Sequence, residues 1–199
     1  MPPGVASAPD PMLTDGVVSL SPLASADAEL VLQWDADPEI QRWFDWPVTP
    51  AVDDAATLGA RRAGAERSIV SKRQRWAEGT EFVFAVRSAV TGEGYGWIDL
   101  QPRGTGIGNV AYGVLTRYRG RGLASRGVRL AARYAFETFG WARLEIRANA
   151  QNLASLAVAK KAGFHCECVS QNDGMMQHHQ PSLGQSYDTA LYYRLRDDV

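Results

Sequence analysis

The chain is poor in the residues that build several common kinds of site. It has two cysteines and three histidines in 199 residues. Cys166 and Cys168 stand two apart on a run that reads as a strand, so both are expected on one face, which is poor geometry for a mutual disulfide. A reducing compartment is the simplest setting for them. With His178 and His179 they make only a loose group, without the Cys-x-x-Cys spacing of a zinc site, so no metal is expected. No run approaches the ~18 apolar residues of a membrane span, and no basic-then-apolar leader opens the chain. The expected location is therefore cytoplasmic, with no membrane partner. The formal net charge of −1 argues against a general binder of nucleic acid or of membrane surfaces. There is no Walker sequence. Gly92-Glu93-Gly94-Tyr95-Gly96 is not a dinucleotide fingerprint, because no helix follows it.

What is present suits one ordinary domain. Hydrophobic residues make up 45% of the chain, enough for a substantial core. Residues 1–12, rich in Pro, Ala, Gly and Ser, read as a disordered tail, and 13–199 as the domain. Asp15 to Leu23 reads as a strand. Ala26 to Leu32 has helical character with Ser25 as a possible cap, and Asp37-Pro38 starts a second short helix. A third helix, capped by Asp53 or Asp54, runs to about Trp76 and stops near Gly79. Glu81 to Arg87 is a strand, Thr91 to Gly94 a hairpin turn into Tyr95 to Leu100, and Asn109 to Leu115 the next strand. A long helix from Leu123 to Phe139 buries Val128, Ala131, Ala132, Ala135 and Phe139, with Gly127 a local weakness. Arg143 to Ala148 is a strand and Asn152 to Ala162 a helix. His165 to Ser170 and Tyr187 to Arg194 are the last strands, with a polar loop from Gln171 to Ser186 between them. Antiparallel strands followed by strand–helix–strand–helix–strand imply a mixed α/β (α+β) fold, with helices on both faces of a central sheet.

Arg117-Tyr118-Arg119-Gly120-Arg121-Gly122-Leu123-Ala124 lies between an apolar strand and the long helix. Glycines remove side chains so that backbone N–H groups can close on a phosphate. The helix start adds unpaired N–H donors and the positive end of a dipole. Six arginines and no acid lie between Arg117 and Phe136. The turn looks built for a pyrophosphate, although glycine turns before helices are common in themselves.

A second element, Asn152-x-x-Ser155 followed by Lys161-x-Gly163-Phe164, makes the pair specific. Together they resemble the GNAT superfamily of acyl-CoA-dependent N-acetyltransferases, whose Arg/Gln-x-x-Gly-x-Gly/Ala signature Arg117 to Gly122 fits. Val17 to Leu23, Asp27, Trp34 to Glu39 and Trp46-Pro47 resemble the opening of the ribosomal-protein N-terminal acetyltransferase branch (RimJ/RimL-like). The resemblance covers about residues 14 to 196. It implies a mixed, mostly antiparallel seven-stranded sheet that splays at the acyl-CoA cleft. It implies acetyl-CoA as donor and transfer by direct attack of a primary amine, from a protein N-terminus or a small molecule. A resistance or biosynthetic enzyme and a catalytically silent acyl-CoA-binding domain are the alternatives. The oligomeric state expected is monomer or homodimer.

For the donor, the resemblance points to the backbone of Arg119, Gly120, Arg121, Gly122, Leu123 and Ala124, and to charge from Arg117 and Arg121. The end of the preceding strand, Val114 and Leu115, supplies backbone partners to the pantetheine arm, and Asn152 bonds that arm or caps its own helix. Many relatives carry a proton-donating tyrosine where this chain has Ala159. Ser155, near the thiol in the ribosomal-protein branch, is expected to donate the proton or stabilise the thiolate, a helix cap being the other reading. That branch often has a glutamate where Asn109 stands. Asp99 on the neighbouring strand is the nearest acid and the expected base, facing the acceptor pocket. Trp43, Phe44 and Trp46 are expected to wall that pocket or to be core.

Overall fold

The computed structural model describes residues 10–44, 55–175 and 186–198. Within them the chain runs β1 (Leu13–Thr14), β2 (Val18–Pro22), α1 (Ala28–Asp35), α2 (Pro38–Phe44), α3 (Ala55–Glu78), β3 (Phe82–Ser88), β4 (Gly94–Gly104), β5 (Ile107–Val114), α4 (Leu123–Thr138), β6 (Arg143–Asn149), α5 (Leu153–Lys161), β7 (His165–Met175) and β8 (Ser186–Leu195). All strands join one sheet in the order β1-β2-β3-β4-β5-β6-β8-β7. Only β5 and β6 pair in parallel, as a strand–helix–strand crossover through α4 requires. The sheet has 8 strands rather than the expected seven, because the two-residue β1 adds an edge through Leu13↔Leu20 and Thr14↔Ser19.

Alternation places the helices. Phe84 and Ile98 pair across β3 and β4 and share a face with Tyr112 of β5. That face carries α4: a Cβ on Gly127 would meet Ile98 Cδ1 at 2.6 Å. Gly127 is therefore a condition of the close helix–sheet approach rather than the weakness its propensity suggests. The opposite face holds Trp97, packed edge-on to Trp34 of α1 and Phe44 of α2. The expected helices on both faces are thus present. α3 packs against α1 and β3, with Trp76 on Phe82 and Phe84. Strands covered on both sides read as continuous apolar runs, and Phe82 to Val86 is buried throughout.

Local chemistry departs from expectation at several points. Ser25 does not cap the first helix; Asp27 Oδ2 accepts from the Ala24 N–H at 2.8 Å, and a short 3-10 turn over Ser25–Asp27 precedes α1. Asp37 does cap α2, accepting from the N–H groups of Glu39 and Ile40. Asp53 and Asp54 lie outside the described residues. Phe139 is the C-cap of α4, half-buried and packed at the edge of the core, where it stacks on Phe82. β7 continues to Met175, so the first residues of the expected polar loop are strand, paired with β8 through Gly174↔Tyr187 and Met175↔Ser186. A register shift between Cys166 and Cys168 breaks the alternation that would have set both on one face; both thiols are free and exposed. Asp10, within the expected tail, accepts from Arg73 Nη2 at 2.9 Å. Among the described residues no helix is long and apolar enough to cross a membrane.

Candidate active site

β5 and β6 hold register only at Ile107↔Arg143, Gly108↔Leu144 and Asn109↔Glu145. Beyond that the strands part, because β6 pairs on with β8 along its whole length while β5 stays with β4. The gap opens at the C-terminal ends of two parallel strands, where α/β sheets commonly take ligands. It forms a cleft of about 560 Å³, within the range of small-molecule sites. On one face of the sheet it is bounded by the starts of α4 and α5. Through the gap it reaches α2 on the other face, where Trp43 and Phe44 line it.

The start of α4 is open. Gly122, its N-cap, has φ 73° and Gly120 φ 77°, left-handed values that favour glycine. Among the described residues no side chain caps the helix, and its first turn holds no acid, so its leading N–H groups remain donors at the edge of the cleft. A Cβ on Gly120 would meet nothing within 4 Å, and one on Gly122 only Ser125 Oγ at 3.9 Å. Among the described residues nothing fills the space in front of the turn, which suits an anionic group.

The turn is pinned from behind. Asp37 Oδ2 accepts from Thr116 N at 2.7 Å and Oδ1 from Thr116 Oγ1 at 2.8 Å. Burial would raise the Asp37 pKa, but these bonds and the Ile40 N–H outweigh it and hold the carboxylate below its ordinary value. The arginines divide their work. Arg119 lines the cleft, but its Nε donates to the Val114 carbonyl at 2.9 Å and its guanidinium sits 3.6 Å from Glu39. Arg117 lies over the Tyr118 ring, 4.7 Å from its centroid, and donates to Gln33; Arg121 flanks the same ring at 5.7 Å. Neither is among the residues lining the cleft. Leu115 is also withdrawn: it is buried, its N–H bonds Tyr95 and its carbonyl accepts from Tyr118. The strand end presented to the cleft is Tyr112, Gly113 and Val114.

The start of α5 is closed. Asn152 Oδ1 accepts from Ser155 N at 3.0 Å, so the cap reading of Asn152 holds; its side chain still borders the cleft. The turn of helix that follows brings Ala154, Ser155 and Val158 to the cleft and buries Ala159 completely. Ser155 Oγ lies 2.9 Å from the hydroxyl of Tyr112, which also donates to the Ser155 carbonyl at 3.0 Å.

Asp99 is not among the residues that line the cleft. It pairs with Val83 and Ala111 in the middle of the sheet, on the Trp97 face, opposite to Tyr112 and Ser155. It is 5% exposed; Gln101 donates to its Oδ2, and Oδ1 has no hydrogen-bond partner among the described residues. Burial, with the charge of Glu81 nearby, pushes its carboxyl up to about 7. Asn109 is buried across from Gln101 and Glu145. Trp46 lies outside the described residues. Sequence reasoning missed Tyr112, Gly113 and the Arg147–Asn149 end of β6. The signal was available in principle: they end two parallel strands joined by a crossover helix.

The family model described as "Acetyltransferase (GNAT) domain" matches residues 18–165. "Probable N-acetyltransferase YjcK" of Bacillus subtilis (strain 168) is 27% identical over 176 residues, covering 85% of this chain and 94% of that protein. Among solved structures, the ribosomal alpha-N-protein acetyltransferase RimL in complex with coenzyme A superposes with a TM-score of 0.77 at 15% identity, over 95% of this chain and 100% of that one. A spermidine N-acetyltransferase from Vibrio cholerae, in complex with CoA and spermine, gives 0.72 at 13%, over 92% and 98%. The chain belongs to the GNAT acetyltransferase family and is an acyl-CoA-dependent acetyltransferase.

Proposed function

We propose that this GNAT acetyltransferase moves an acetyl group from acetyl-CoA to a primary amine by direct attack, with both substrates bound at once. The observation that carries this reading is the cleft itself. It passes through the sheet where β5 and β6 part, joining the uncapped start of α4 on one face to Trp43 and Phe44 on the other. A donor phosphate can be held by the α4 N–H groups and an amine can approach between the aromatic side chains. Holding the two in line supplies much of the rate.

In that arrangement Gly120, Gly122, Leu123 and Ala124 bind the pyrophosphate, with Arg119 setting the shape of the turn through Val114. Asn152 orders the start of α5 and so the position of Ser155. Ser155 Oγ–H faces the leaving sulfur. The ammonium must shed a proton before it attacks; Asp99, on the acceptor face but not lining the cleft, takes it as a carboxylate through water rather than by contact, its pKa pushed up to about 7 by burial. The acceptor is a protein N-terminus or a small amine; two relatives of the same fold carry names from each class. Asn109 and Ala159 can supply neither base nor acid, so those roles fall to Asp99 and Ser155.

The test is calorimetry with acetyl-CoA, then thiol release with a panel of amines and N-terminal peptides. Saturable donor binding with amine-dependent thiol release is expected. Binding without release from any amine would overturn the transfer to a primary amine, and absent binding would overturn the assignment of the cleft to acetyl-CoA as well.

A further inference from the structure

Tyr112 borders the cleft and has no part in the scheme so far. Its hydroxyl sits between the two oxygens of one residue, 2.9 Å from Ser155 Oγ and 3.0 Å from the Ser155 carbonyl. Its ring is anchored in β5 opposite Ile98, on the face that carries α4. We propose that Tyr112 is a positioning residue for the leaving thiolate: it holds Ser155 Oγ by hydrogen bond, so that the Ser155 hydroxyl proton is directed at the sulfur.

The proton inventory makes the case. Tyr112 and Ser155 each own one O–H. If Ser155 donates to Tyr112, no proton faces the cleft, and Tyr112 must give its own to the Ser155 carbonyl. If Tyr112 instead donates to Oγ, Ser155 must donate elsewhere, and the donation strengthens its O–H as a donor. The two arrangements differ by a rotation of each hydroxyl, since both acceptors are already within bonding distance. A thiolate forming in the cleft selects the second arrangement. Burial pushes Tyr112 up to about 12, against the opposing effect of its bond with Ser155, so the phenol keeps its proton through the working range. A thiol near pKa ~8.5 is much the stronger acid, so neither hydroxyl transfers its proton outright. As the C–S bond breaks, the electron pair stays on sulfur, and the Tyr112–Ser155 chain stabilises it by hydrogen bonding. The proton that finally neutralises the sulfur is the second one lost from the nitrogen, shed after the N–C bond forms; the first, given up by the ammonium before attack, is the one Asp99 takes.

This inference rests on the acetyl-CoA reading, and its test needs no acceptor. The thiol of CoA bound at saturation is titrated by thiolate absorbance, each protein being referenced to itself with S-methyl-CoA to cancel its own tyrosines. In the wild type the bound thiol should titrate below free CoA. Tyr112→Phe should raise that value by roughly 0.5 to 1 unit, one hydrogen bond's worth, with CoA affinity unchanged. Ser155→Ala should raise it at least as far, and adding Tyr112→Phe to Ser155→Ala should change nothing more. 3-Fluorotyrosine at position 112, a stronger donor of nearly the same shape, should shift it the other way, and serves also if the phenylalanine variant folds poorly. No shift with Tyr112→Phe, or the same shift with and without Ser155, overturns the proposal while leaving acetyl-CoA binding standing. Failure of the wild type to bind CoA overturns the reading beneath it as well.

Discussion

Two helices begin at the same cleft and are built in opposite ways. α4 starts at a left-handed glycine with no side-chain cap and with arginines around it. α5 starts at an asparagine whose side chain closes on the N–H of Ser155 at 3.0 Å. An open start leaves backbone donors for a ligand and so serves binding. A capped start satisfies its own backbone and serves to aim a side chain, here Ser155 toward the cleft and Tyr112. If this division holds, damage at α4 is read in affinity and damage at α5 in turnover or stability.

The largest effect is expected at α4. Gly122→Asp should lower acetyl-CoA affinity on the order of 10²-fold or more, through charge against phosphate at the positive end of the helix. Asp tolerates left-handed backbone better than most residues and there is room for its Cβ, so the protein should stay folded. Gly122→Asn, neutral and of similar shape, should lose less. Equal affinity for wild type and Gly122→Asp in calorimetry would end the assignment of this turn to the donor.

At α5, Ser155→Ala should lower kcat by roughly tenfold, the loss of one hydrogen bond to the leaving thiolate, with acetyl-CoA affinity little changed. A drop in affinity with kcat preserved would reverse the division between the helices.

Asp99 is a control that touches neither helix. Its folded pKa of about 7 lies above the ordinary carboxylate value, so the fold favours the protonated form. The stability this contributes is fully present below about pH 4 and is lost as pH rises from there toward 7. Asp99→Asn should therefore flatten that fall and make the protein more stable than wild type above pH 7, seen as a higher Tm. If Asp99 takes the amine's proton through water, the same variant should lose kcat/KM near neutral pH, and the loss should shrink as pH nears the amine's own pKa. Greater stability with a pH–rate profile parallel to wild type would take Asp99 out of the mechanism.

The smallest effect belongs to the cap. Asn152→Ala should cost about 1 kcal/mol in urea unfolding, whereas Asn152→Asp, which keeps the acceptor, should cost much less. A loss of acetyl-CoA affinity of tenfold or more in Asn152→Ala would show that the capped start also binds the donor.

Short-range chemistry was readable from the chain alone. The glycine turn before an amphipathic helix, the Asn-x-x-Ser start of α5, the helix start at Asp37-Pro38 and the strand–helix–strand order depend on neighbours within about four residues, and the sequence displays those directly. The parting of β5 and β6, Gly127 under Ile98, and the mixed sheet with helices on both faces follow once the elements are placed. Tertiary structure alone decided where each charge and hydroxyl went. Arg117, Arg119 and Arg121 look alike in the sequence, yet one is tied to Val114 and the others flank Tyr118. Asp99 reads as a strand residue that alternates to the cleft side, but its neighbours on β3 and β5 bury it beside Glu81 instead. Tyr112 and Ser155 stand 43 positions apart and meet only because the crossover brings α5 over β5. Contacts across such separations depend on which strands pair and which face turns inward, and that is settled by packing the whole sheet rather than by any local run of residues.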